Sequence, residues 1–300
     1  MGVLSKVIHI VFFLLFSCMG CAQDSIVGSE WIPLQQQIIA KLTGERPLKN
    51  EIYLAQRASP RERDLTVEYL SQYLKGIHWQ LENHRYKATN GNPFLDLLMG
   101  PMKGVNVAAV LPATIPSEEY VLFGAHYDSE RDCPGAIDNA SGVALCLAIA
   151  NKLTLLKERK VNFLIVLFDQ EEDNEVGSGA YVKLLKNTKR KIHSAHIFDL
   201  IGWDNDGDKA ITLQSPAPFL EELYTKTADE SRIPFEVVGG GASDNRQFTA
   251  AGFHTIAVFE EEGDSTPHLH KPTDTYATVN FEYLASCTQF IHHIFKQLAQ

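Results

Sequence analysis

Val161-Asn162-Phe163-Leu164-Ile165-Val166-Leu167-Phe168-Asp169-Gln170-Glu171-Glu172 decides the fold class. Residues 161–168 form a nearly continuous apolar, β-rich run, the pattern of a strand covered on both faces. The acidic residues follow at once. Working outward, 105–111 and 120–125 read as further short strands, 196–201 and 255–259 as two more. Helical periodicity appears over 31–43, 61–75, 141–156, 179–185, 218–231, 243–251 and 281–298, with Ser243 as N-cap of its helix. Residues 78–87 read as a strand with mixed faces and 90–103 as a loop. Strands alternating with helices predict a three-layer α/β/α sandwich around a mixed, mostly parallel central sheet.

The polar residues sit where such a sheet binds ligands, beyond the carboxyl ends of its strands. His126 and Asp128 follow one strand; Asp169, Glu171 and Glu172 follow another; Asp199 lies near the end of a third and Glu260 follows a fourth. Each group has a plain alternative. His126-Tyr127-Asp128 fits a metal-binding imidazole oriented by a carboxylate, and equally a buried His–Asp hydrogen bond. Asp138 in Gly135-Ala136-Ile137-Asp138-Asn139 could bridge two cations, or it or Asn139 could cap the next helix. Glu171 and Glu172 would repel each other in a buried place without a cation, or form a solvated acidic turn. Asp199, in an apolar strand, calls for a cation or a basic partner. His268 and His270 share a polar loop. Together these residues offer imidazole and carboxylate ligands suited to zinc, with one carboxylate left over as a base.

Composition narrows the function classes. A formal net charge of -10 argues against nucleic acid. Lys6 and the apolar run 7–16, followed by small residues, have the order of a signal peptide over 1–22. The run falls short of the about 20 apolar residues that span a bilayer. Leu15-Phe16-Ser17-Cys18 resembles a lipobox, while Gly20-Cys21-Ala22 suits an ordinary signal peptidase. Either exit predicts an exported protein, periplasmic, extracellular or surface-anchored, with membrane attachment only through an N-terminal lipid. Residues 23–300 then read as a single domain. Cys133, Cys146 and Cys287 remain, an odd number that permits one disulfide at most.

Taken in order, the motifs resemble the co-catalytic two-zinc peptidases of the bacterial leucyl aminopeptidase group, metallopeptidase family twenty-eight. They are His126-Tyr127-Asp128, Asp138-Asn139-Ala140-Ser141-Gly142, Glu171-Glu172 with Gly177-Ser178, Asp199, and His270 before Asp274-Thr275, and they run from about Gly104 to Thr275. The resemblance implies a metalloaminopeptidase with two zinc ions per chain. Asp138 bridges them, His126 and Asp199 complete one site, and Glu172 and His270 the other. It implies Glu171 as the general base toward water at the metals, Asp128 as support for His126, and a peptide with a free N-terminus as substrate. Asp244 is read as a structural or supporting group, with helix capping as the alternative. The stretch Arg131-Asp132-Cys133 finds no interpretation. Glutaminyl cyclases, carboxypeptidases and dipeptidases of the same fold are rival readings, as is a binding ectodomain without catalysis.

Overall fold

The computed structural model describes residues 29–89 and 93–300. The signal-peptide reading of 1–22 lies outside them. Helices α1 (Ile32–Leu42) and α2 (Pro60–Gly76) come first. Ser59 and Glu62 form a reciprocal capping box at the start of α2, with Pro60 in its first turn, which satisfies backbone donors that a helix start leaves open. Strands β1 (Gln80–Leu81) and β2 (His84–Ala88) follow, then α3 (Pro93–Met99), β3 (Met102–Leu111), β4 (Glu119–His126) and α4 (Gly142–Leu153). The second half contains β5 (Asn162–Phe168), α5 (Val176–Thr188), β6 (Lys191–Phe198), β7 (Ile211–Gln214), α6 (Pro218–Ser231), β8 (Phe235–Val238), α7 (Asn245–Ala250), β9 (Thr255–Glu260) and α8 (Phe281–Leu298).

The strands form one sheet in the order β1-β3-β5-β4-β6-β9-β7-β8, with β2 also on β3. Its centre, β5-β4-β6-β9, is parallel. Antiparallel pairs flank it, β3 against β5 and β7 against β9. The apolar run of β5 explains the layering. Phe163, Ile165 and Leu167 enter one hydrophobic cluster, and Leu164, Val166 and Phe168 enter the other. Alternate residues of a strand point to opposite faces, so both faces must be covered. Helices α4, α6 and α8 pack on the first cluster through Leu145, Tyr224 and Phe295; α5 and α7 pack on the second through Tyr181 and Phe248.

The sandwich is the expected one, with four local differences. The strand expected over 78–87 is split into β1 and β2. The stretch expected as a loop holds α3 and the start of β3. Strands β7 and β8, four residues each, were absent from the periodicity, because a run so short carries no period. Ser243 is not an N-cap: Asp244 occupies that position without a side-chain cap, and the Ser243 hydroxyl makes no hydrogen bond. Cys133, Cys146 and Cys287 are buried, and none forms a disulfide.

Candidate metal centre

The carboxyl ends of the parallel strands meet at one edge. β4 delivers His126 as its last residue; β5 is followed by Asp169, Glu171 and Glu172; β6 is followed by Asp199. Asp138 comes from the irregular turn Ala136–Ser141, which precedes α4 and contains the cis peptide Asp138–Asn139. Gly135 begins that turn at φ 63, and a Cβ there would lie 2.4 Å from the Asp138 carbonyl oxygen. His270 comes from the loop after β9.

Asp138 is the hub. Its Oδ1 is 3.1 Å from His126 Nε2 and its Oδ2 is 3.2 Å from His270 Nε2. On the first side, His126 Nε2 is also 3.4 Å from Asp199 Oδ1. On the second, His270 Nε2 is 3.2 Å from Glu172 Oε2. Each carboxylate oxygen of Asp138 therefore faces its own imidazole–carboxylate pair. His268 is directed elsewhere, 2.9 Å from Thr273 Oγ1 and edge-on to Trp203, so of the two histidines of the loop it is His270 that meets Asp138 and Glu172.

The donor set fits divalent cations. His126 Nε2 and Asp199 Oδ1 are buried without a hydrogen-bond partner, a costly state for polar atoms unless a cation meets them. His126, Asp138 and Asp199 offer ligand atoms within 4.8 Å of one another, as do Glu130, Glu172 and His270. Imidazole with carboxylate oxygen is a zinc-type set. The titration of the group points the same way, since the site is short of positive charge. Burial raises Glu171 to about 10 and Glu172 to about 8, with Asp138 adding to the latter. Burial alone would lower His126, but Asp199, Asp128 and Asp138 outweigh it and raise it well above its ordinary value. Hydrogen bonding to Asp138 raises His270 to about 9.

A second ring of residues holds this arrangement. Asp128 accepts the N–H of Glu171 at 3.1 Å and of Glu172 at 3.2 Å, and its Oδ1 lies 3.5 Å from His126 Nδ1. Asp274 accepts the N–H of Ile137 at 2.8 Å and of Asp138 at 3.0 Å. Asn139 donates to the Phe198 carbonyl and accepts from Gly142 N–H, joining the turn to β6 and α4. Gly177 closes the α5 start onto β5: a Cβ there would lie 1.9 Å from the Asp169 carbonyl oxygen.

Three contributors escaped the sequence reading. Arg57 is fully buried and donates to the carbonyls of Leu42, Tyr127, Pro134 and Gly135 at 2.6–2.8 Å, while its backbone N–H donates to Ser129. It thereby fixes the segment between His126 and Asp138, the stretch that Arg131-Asp132-Cys133 left uninterpreted. Burial lowers its pKa, against the pull of Asp274 and Asp128. Glu130 donates its N–H to Glu172 Oε1 at 3.0 Å. Arg63 pairs with Asp169 at 2.9 Å, compensating a carboxylate that burial raises to about 7. No local pattern around Arg57 would have disclosed its role. Asp244 is buried beside Glu171, and burial raises it to about 8.

Asp138, Glu172, Asp199 and His270 open onto a cavity of about 520 Å³. Its lining combines carboxylates, among them Glu130, Glu171, Glu175 and Glu262, with apolar side chains, among them Leu200, Val238, Phe259 and Leu269. A family model described as Peptidase family M28 matches residues 106–295, well over half of the chain. The chain belongs to peptidase family M28. It is 29% identical over 184 residues to Aminopeptidase YwaD of Bacillus subtilis, covering 58% of this chain and 40% of that protein. It is 28% identical over 198 residues to a probable leucine aminopeptidase of Trichophyton verrucosum, covering 60% of this chain and 53% of the relative. The chain thus spans about half or less of the length of these curated relatives. The aminopeptidase from Aneurinibacillus sp. strain AM-1 superposes with TM-score 0.76 at 15% identity, over 92% of this chain and 96% of that one. Porphyromonas gingivalis glutaminyl cyclase superposes with TM-score 0.73 at 17% identity, over 89% and 98%. The same sandwich fold therefore underlies more than one named activity.

Proposed function

We propose that this protein is a two-zinc aminopeptidase that hydrolyses the bond after a free N-terminal residue. The observation that carries the reading is the double engagement of Asp138, with one oxygen toward His126 and the other toward His270. Asp138 would hold two cations together with His126 and Asp199 on one side and His270 and Glu172 on the other. When bound, the zinc pair supplies Lewis acidity toward the scissile carbonyl and acidifies water.

The chain's own residues do the rest. Glu171 lines the cavity beside the ligand set, and Asp128 fixes its backbone. Its carboxylate takes the proton of the attacking water and returns it to the leaving amine. Asp128 keeps the His126 ring in the orientation a ligand needs. The carboxylates of the cavity lining receive the protonated α-amino group, and its apolar side chains receive a hydrophobic first side chain. Export, with an N-terminal lipid or a free N-terminus after residue 22, belongs to the same proposal, and mass spectrometry of the mature chain from its own host tests it.

A panel of free, N-blocked and N-terminal Gln peptides tests the reaction, run with zinc analysis of the protein. Release of free N-terminal amino acids, no action on blocked peptides and about two zinc ions per chain are expected. Loss of ammonia from a Gln-peptide with its peptide bonds intact, at one zinc per chain, would replace the reading by a glutaminyl cyclase.

A further inference from the structure

The hairpin of β2 and β3 takes no part in this chemistry, and its surface combines basic and apolar side chains. In the antiparallel pairing Lys87 stands opposite Lys103, and Arg85 is two residues before Lys87. Directly opposed residues share a face, as do residues two apart along a strand. Arg85, Lys87 and Lys103 therefore lie on one side of the hairpin, and all three are exposed. The reverse side is turned inward. Tyr86 is buried there, and its hydroxyl donates to Gln170 Oε1 at 3.0 Å.

At the tip, the seven-residue helix α3 presents Phe94, Leu97 and Leu98 at 64%, 82% and 66% exposure. Leu97 is the most exposed large apolar side chain among the described residues. Isolated apolar residues on a surface need no explanation, but a cluster rimmed by charge marks a contact site. The hairpin also has a definite position. β3 runs antiparallel to β5, with Val107 opposite Leu167, and Gly104 lies against Asp169. The tip therefore leaves the sheet at the edge where the cavity opens.

We propose that this hairpin seats the protein on an anionic lipid bilayer. Phe94, Leu97 and Leu98 enter the headgroup–acyl boundary, and Arg85, Lys87 and Lys103 meet lipid phosphates. Charge selects this occupant. The chain as a whole carries -10, yet this face is basic, with Asp96 of α3 as its acid beside Thr89. A second copy docked symmetrically would set three cations against three. A peptide substrate entering an acidic cavity amino end first would be repelled by the same collar. An anionic surface meets both parts of the patch, with apolar side chains inserted and long basic stems reaching the headgroups. Helix α3 is far too short to span, and no described helix is long and apolar enough to cross a membrane, so the contact is interfacial. It adds to any N-terminal lipid, since stable anchoring takes two signals. It does not depend on which reaction the cavity performs.

The test uses the full chain with vesicles of phosphatidylcholine alone, or of equal parts phosphatidylcholine and phosphatidylglycerol. Sedimentation should find wild-type protein partitioning roughly tenfold more strongly to the anionic vesicles at low salt, a preference that salt removes. Leu97→Asp with Leu98→Asp should weaken partitioning by about tenfold or more. Lys87→Glu with Lys103→Glu should abolish the anionic preference. The tip itself is read separately from the N-terminus by Leu97→Trp, whose added fluorescence should be quenched by brominated acyl chains. Absence of that quenching overturns the proposal, as does equal partitioning of wild type and both double variants. So does a self-associated wild type made monomeric by Leu97→Asp, which would make the face a contact between copies. A rise in KM for soluble peptides without vesicles, caused by Leu97→Asp, would assign the tip to substrate instead.

Discussion

Asp128→Asn is the most informative single change, because one side chain of nearly constant shape serves three groups. Oδ1 accepts from Glu171 N–H at 3.1 Å and lies 3.5 Å from His126 Nδ1, while Oδ2 accepts from Glu172 N–H at 3.2 Å. An amide retains one acceptor. With its oxygen in the Oδ1 position, the NH₂ confronts the Glu172 N–H. Turned over, it confronts both Glu171 N–H and His126. The first orientation sacrifices less and should prevail. A lost hydrogen bond to a charged group costs about 1.5–3 kcal/mol, which is roughly ten- to 150-fold in an equilibrium or rate. Removing the negative charge beside His126 also weakens it as a ligand, typically by about ten- to 100-fold in metal affinity. The variant should therefore fold, bind zinc about ten- to 100-fold more weakly, and at saturating zinc still fall roughly tenfold or more in kcat/KM. Competition titration against a chelator gives the first quantity, and initial rates on an amino-acid anilide give the second. Zinc affinity and kcat/KM both within twofold of wild type would refute the reasoning. Complete rescue by excess zinc would limit Asp128 to His126 and remove its proposed hold on Glu171.

Three further outcomes follow from the same geometry. Glu171→Gln should lower kcat by about 10²–10⁴ with zinc content unchanged; loss of zinc with retained activity per metal would mean that Glu171 and Glu172 have each other's roles. Arg57→Lys keeps the charge but not the planar fork that reaches four carbonyls, and an ammonium has three donors, so at least one bond is lost. The expected cost is about 1.5–3 kcal/mol, a Tm drop on the order of 3–12 °C for a domain this size, and a calorimetric change under about 1 kcal/mol would contradict the buried network. His196 is wholly buried between Tyr224 and Ser194, and burial lowers its pKa to about 3. The unfolded chain takes up the proton near pH 6.5 and the folded chain does not. Its stabilising contribution is full above pH 6.5 and declines as pH falls toward 3, by about 1.4 kcal/mol per unit. Urea denaturation of His196→Leu between pH 6 and pH 4 should show a slope shallower by about one proton, and an unchanged slope would assign the acid sensitivity elsewhere.

The sequence determined what is local or repeated. The run through β5 required cover on both faces, and the acidic residues directly after it fixed the functional edge, because a strand end is also a position in the sequence. The two-residue spacing of His126 and Asp128, the Glu171-Glu172 pair and the separation of His270 from Asp274 were legible for the same reason. Tertiary structure alone decided the connections. Asp274 meets the backbone of Asp138 across 136 residues, and Arg57 reaches Pro134 and Gly135 across 77 and 78. Such pairs have no period and no motif, since a buried guanidinium contacts carbonyls that every residue type possesses. The four-residue strands β7 and β8 were invisible because the energy that forms them is pairing with distant neighbours, not the pattern of their own side chains. A one-dimensional reading could gather the candidate ligand residues; only the folded backbone could show what holds them still.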